Sequence, residues 1–81
     1  MKHRIFRLTE REISIIELIA AGKSAKEAAC DLHIAPRTVE KHLDHSRLKM
    51  EAKNTTHLVT LCIATGMLDA AVTYQASEDR S

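Results

Sequence analysis

Apolar residues return at helical spacing in four stretches of this chain, and polar caps or backbone breakers separate the stretches. Ile15, Ile16 and Ile19 form the first stripe, widened by Leu18 and Ala20. Thr9 stands ahead of them with Glu12 three residues on, the capping box of a helix start, and Leu8 can staple onto the first turn. Gly22 is placed to end that helix in the left-handed conformation. A second box, Ser24 with Glu27, opens a short helix over residues 25–32. Its face of Ala25, Ala28, Ala29 and Leu32 is small enough for another helix to approach closely. Pro36 pushes Ala35 out of the α region and is itself a good first helical residue, since its missing N–H would be unpaired there anyway. A third helix follows over residues 36–51, with Val39, Leu43, Ser46 and Met50 as its buried seam. Arg37, Lys41, Asp44 and Arg47 lie on its charged outer face. Residues 52–54 break the pattern, and Asn54 caps a fourth helix carrying Leu58, Val59, Leu61, Cys62, Ile63 and Ala64, which stops at Gly66. Met67 and Leu68 are expected to fold back onto the core.

The reading is all-α. Residues 1–8 form an N-terminal arm docking by Ile5, Phe6 and Leu8, residues 9–68 form the domain, and residues 69–81 form a frayed C-terminal tail. Within the domain, residues 24–50 pair a compact helix, a short turn and a longer helix with a charged outer face, which is the helix-turn-helix arrangement. The fourth helix is apolar on more than one face. Leu58, Val59 and Cys62 can point at the core, which leaves Leu61, with Ala64 and Thr65, facing outward toward a partner.

Composition narrows the function classes. With 81 residues, one domain with a modest core is expected, and dimerisation would help its stability. One Phe, one Tyr and no Trp leave no aromatic platform for base stacking, which argues against RNA or single-strand recognition. A net charge of +1 argues against a purely electrostatic nucleic-acid binder, although Lys2, Arg4, Arg7 and Arg11 make the start basic. Cys30 and Cys62 sit in helical patterns without a close pairing and are read as buried reduced thiols. No apolar run is long enough to span a bilayer and no secretory apolar region follows the basic start, so a cytoplasmic protein without membrane association is expected. His42 with His45, and Cys30 with His33, are metal-ligand types, but both pairs lie on or beside helices that already have packing roles. His42 is read instead as a half-buried ring bonded to a backbone carbonyl. No nucleophile has catalytic company and there is no Gly-rich phosphate loop, so neither enzyme activity nor a cofactor is expected.

Leu8-Thr9-x-Arg11-Glu12, Gly22-x-Ser24-x-Lys26-Glu27-x-Ala29, Thr38-Val39-x-x-His42, Lys49-Met50, Asn54 and Gly66, in this order and spacing, resemble the LuxR-type (GerE-like) helix-turn-helix DNA-binding domain. The similarity runs from Leu8 to about Leu68. It implies a four-helix all-α domain whose third helix enters the major groove of double-stranded DNA and whose fourth forms a homodimer. It implies base contacts from Glu40, Lys41 and Asp44, and phosphate contacts near Lys26, Arg37 and Thr38, to which the charged face adds Arg47. Larger members carry a sensing domain ahead of this module; the expectation here is a stand-alone member, or a fragment of a longer chain. Four positions depart from the family pattern. Ala35 replaces the usual N-cap Ser, Ser46 takes a usually apolar core position, Asp44 brings a negative charge to a DNA-facing position, and Thr55 replaces a usual Arg.

Two functions follow from the resemblance. The first is a transcriptional regulator that reads a short two-fold symmetric duplex site as a homodimer. The second is a protein-interaction module, an anti-activator that sequesters a larger LuxR-type regulator through its fourth helix. Lys26, Arg37, Lys41 and Arg47 favour the first; low net charge and Asp44 favour the second.

Overall fold

Each helix begins where side chains satisfy its first N–H groups, except the third. The computed structural model describes residues 7–74. Among them are four α-helices, α1 (Glu10–Ala20), α2 (Ala25–Leu32), α3 (Pro36–Met50) and α4 (Thr55–Ala64), and a 3-10 helix (Ala70–Tyr74), with no strand. Both capping boxes form. Thr9 Oγ1 accepts from Glu12 N–H at 3.0 Å while Thr9 N–H donates to Glu12 Oε1 at 2.8 Å. Ser24 and Glu27 repeat the exchange at 3.1 and 2.8 Å. Asn54 Oδ1 caps α4 by accepting from His57 N–H, and His57 Nδ1 in turn accepts from Lys53 N–H. At α3 Ala35 has no side chain to offer, and Pro36 alone marks the start.

The helix ends are equally local. Gly22 takes φ +101°, which lets its N–H reach Ile19 O and the Lys23 N–H reach Leu18 O, both at 3.0 Å. This is the paired closure that a left-handed residue permits. Gly66 at φ +84° does the same for α4, with Met67 N–H on Cys62 O at 2.8 Å. His33 and Glu51 occupy the left-handed region without being glycine, at φ 59° and 56°. Such a conformation costs an L-residue about 1–2 kcal/mol. The αL turn at His33 allows only three residues between α2 and α3 and swings Ile34 back against the core.

The core gathers Ile15 and Ile16 from α1, Ala28 and Ala29 from α2, Val39 and Leu43 from α3, and Leu58 and Cys62 from α4, closed by Leu8 and Leu68. α3 packs on all three other helices. Alanines on α2 let α3 approach closely, so the helix-turn-helix pair is held by backbone proximity. Ser46 is fully buried at its core position and donates its hydroxyl to His42 O at 2.8 Å, which satisfies it within the helix. Met67 packs on the core and Leu68 is buried, as their apolar character predicts.

Three details differ from the sequence reading. Cys62 is buried but Cys30 is exposed, because it sits on the side of α2 opposite Ala28, Ala29 and Leu32. The His42 ring makes no hydrogen bond among the described residues; it is the His42 carbonyl that accepts, from Ser46. Residues 70–74, read as the start of a frayed tail, form the 3-10 helix, which packs against α1. Ile5, Phe6 and residues 75–81 lie outside the described residues.

Candidate nucleic-acid interface

With Val39, Leu43 and Ser46 facing the core, helical periodicity turns Arg37, Glu40, Lys41, Asp44, His45 and Leu48 to the other side of α3. All six are exposed. The candidate readers Glu40, Lys41 and Asp44 therefore share one solvent-facing surface, in the first nine residues of the helix. Arg37 lies in the same first turn, beside half-buried Thr38, and Lys26 is exposed in the first turn of α2. Helix N-termini present unpaired N–H groups and a positive dipole end, so both cations stand where an anion is already favoured.

Arg47 is placed differently from the others. Its Nη2 donates to Asp44 Oδ1 in a tight ion pair one turn back along α3. Its Nε is buried without a hydrogen-bond partner. The guanidinium is therefore engaged by Asp44, and the charge of that carboxylate is paired within its own helix.

The anchoring of this helix is the feature that sequence reasoning missed. Lys49 Nζ pairs with Glu12 Oε1 at 2.7 Å and also donates to Arg7 O at 3.4 Å. Glu12 is 3% exposed. Burial pushes its carboxyl up, but the hydrogen bonds from Lys49 and Thr9 and the Lys49 charge outweigh that and hold it below its ordinary value of 4.5. Burial alone raises the Cys62 thiol. Nothing in the spacing of Glu12 and Lys49 announces the pair. Leu48, which the sequence reading does not single out, is 75% exposed. Here a signal existed: Leu48 follows Asp44 by four residues and Lys41 by seven, so it falls on the charged face.

On α4, Leu61 is half-exposed and lies outside the core cluster, and Ala64 and Thr65 are exposed. Thr65 Oγ1 donates back to Leu61 O at 2.8 Å, so its hydroxyl is satisfied within its own helix. The described residues hold no cluster of three or more His, Cys, Asp or Glu side chains suited to a metal ion. No described helix is long and apolar enough to cross a membrane.

The family described as "Bacterial regulatory proteins, luxR family" (GerE) matches residues 7–62. Over 66 residues the chain is 41% identical to the transcriptional regulatory protein FixJ of Rhizobium meliloti, covering 82% of this chain and 32% of that protein. Over 57 residues it is 47% identical to the transcriptional activator protein BjaR1 of Bradyrhizobium diazoefficiens, covering 70% of this chain and 24% of that one. A crystal structure of a Vibrio cholera VqmA–ligand–DNA complex matches with a TM-score of 0.70 at 27% identity, covering 82% of this chain and 29% of that chain. The chain thus spans about a quarter to a third of the length of these relatives.

Proposed function

This chain belongs to the luxR family of bacterial regulatory proteins, and we propose that it is a transcriptional regulator that inserts α3 into the major groove of a short, two-fold symmetric duplex site. The observation that carries this reading is the exposed surface of α3, where Arg37, Glu40 and Lys41 stand clear of the core in the first two turns. Residues in that part of a recognition helix face base edges. Lys41 donates to guanine O6 and N7, and Glu40 accepts from cytosine N4, so a G·C-containing half-site is expected. Lys26, Arg37 and Thr38 hold phosphates at the two helix N-termini. Two copies pair through Leu61, Ala64 and Thr65 of α4, which matches protein symmetry to site symmetry. The setting is cytoplasmic.

A mobility-shift titration against genomic fragments at low and moderate salt tests this. Shifted complexes that survive moderate salt on a subset of fragments support it. Lys41→Ala should then cost about 1–3 kcal/mol on the preferred site and relax its sequence preference. Absence of any shift on duplex at low salt would overturn the reading.

One observation favours a second reading. The Asp44–Arg47 pair removes a cation from the surface of α3, while α4 keeps Leu61 outside the core. A module built that way would hold a larger LuxR-type regulator through α4. Co-purification with such a regulator, lost in Leu61→Glu, together with no duplex binding, would establish it over the first.

A further inference from the structure

Leu48 is the one large hydrophobic residue that stands exposed among the described residues. It is also on the surface that carries Lys41 and Asp44, so it is not a random surface leucine. No part of the described chain covers it. If α3 lies in a major groove, the groove itself limits what a leucine there can touch. Base edges present donors and acceptors, and the only apolar group on that side of B-DNA is the C5-methyl of thymine.

We infer that Leu48 is a specificity-determining residue that packs on a thymine methyl in each half-site. The inference rests on the docking of α3 proposed above and extends the reading surface beyond Glu40, Lys41 and Asp44. Lys41 and Leu48 are seven residues apart, about 10 Å along the helix axis at ~1.5 Å per residue. Base pairs are stacked at about 3.4 Å, so the thymine sits roughly two to three base pairs from the one read by Lys41.

The test uses the whole chain and a site selected from a randomised duplex pool. Each thymine of the selected half-site is replaced in turn by deoxyuridine, which removes only the methyl. Replacing that one thymine in a single half-site should weaken wild-type binding about fourfold, the weight of one buried methyl-sized group. Leu48→Ala should bind the thymine and uracil sites equally. Because Leu48 is outside the core, that variant should melt with the wild type, which separates reading from folding. Equal sensitivity to deoxyuridine in both proteins, or none in either, overturns the role of Leu48 while leaving the docking of α3 standing. Failure to select any duplex overturns both.

Discussion

The Glu12 carboxylate does two jobs with one oxygen: Oε1 accepts the Thr9 N–H at 2.8 Å and pairs with Lys49 Nζ at 2.7 Å. The capping box of α1 is thereby tied to the last turn of α3, 37 residues away. The candidate recognition helix is thus secured at its far end by a charge pair, in addition to the apolar seam along its length.

Lys49→Met should leave Glu12 buried without its cation. A fully buried pair broken this way costs about 3–5 kcal/mol, and with the Lys49 side chain 31% exposed a loss of about 1–3 kcal/mol is expected. The sign with pH follows from the depressed carboxyl of Glu12. Its contribution is present above the ordinary value of 4.5 and is lost as pH falls through the lower folded value. In Lys49→Met burial should lift that carboxyl, so protonating Glu12 relieves the penalty, and the stability deficit against wild type should be largest near neutral pH and shrink as pH falls. Denaturant melts from pH 3 to 7 check this, with Glu12→Gln as the variant that keeps the Thr9 bond without the charge. Parallel stability profiles for Lys49→Met and wild type would refute the role of the pair.

Lys26→Ala and Arg37→Ala should each weaken binding to all duplex sequences alike. Each should also lower the slope of log affinity against log salt by about one unit. Fluorescence titrations over a range of salt read both quantities. An unchanged slope removes that residue from the phosphate contacts.

Asp44→Asn should release Arg47 and remove a negative charge from the reading surface. Tighter duplex binding is expected, most at low salt, with the salt slope rising by about one unit as Arg47 finds a phosphate. Asp44→Asn with Arg47→Ala should lose that extra slope. Weaker binding in Asp44→Asn would show instead that the ion pair holds Arg47 in a useful pose.

Leu61→Glu should shift the chain toward monomer without unfolding it, since Leu61 lies outside the core cluster. Sedimentation at high micromolar concentration is the measurement. A wild type already monomeric there removes α4 as a self-pairing surface.

The two cysteines should react apart. Cys30 is exposed and should be alkylated quickly in the native protein. Cys62 is buried with its thiol pushed up by burial, so it should react only on unfolding. Mass spectrometry of the timed reaction, with and without denaturant, separates them.

How much of this was legible in the sequence follows from the range of each interaction. The caps of α1, α2 and α4, the Pro36 start of α3 and the glycine ends at Gly22 and Gly66 all join groups within about five residues. Backbone chemistry at that range needs no knowledge of the rest of the chain, and the helix boundaries were accordingly readable. The periodic seam of α3 likewise assigned Arg37, Lys41 and Asp44 to an outer surface, where they are found, whereas Arg47, assigned with them, is half-buried.

Tertiary structure decided the rest. Lys49 could have been another solvated cation; only the packing of α3 on α1 brings it to Glu12. Asp44 could have faced solvent alone; the pose of Arg47 neutralises it. Cys30 follows the face α2 turns to solvent, and the 3-10 helix at residues 70–74, opened by Asp69 Oδ1 accepting from the Ala71 N–H, lies against α1. Short-range hydrogen bonds are dictated by neighbours in sequence. Which charges meet and which apolar groups stay uncovered depends on how whole helices pack, and no local pattern carries that information.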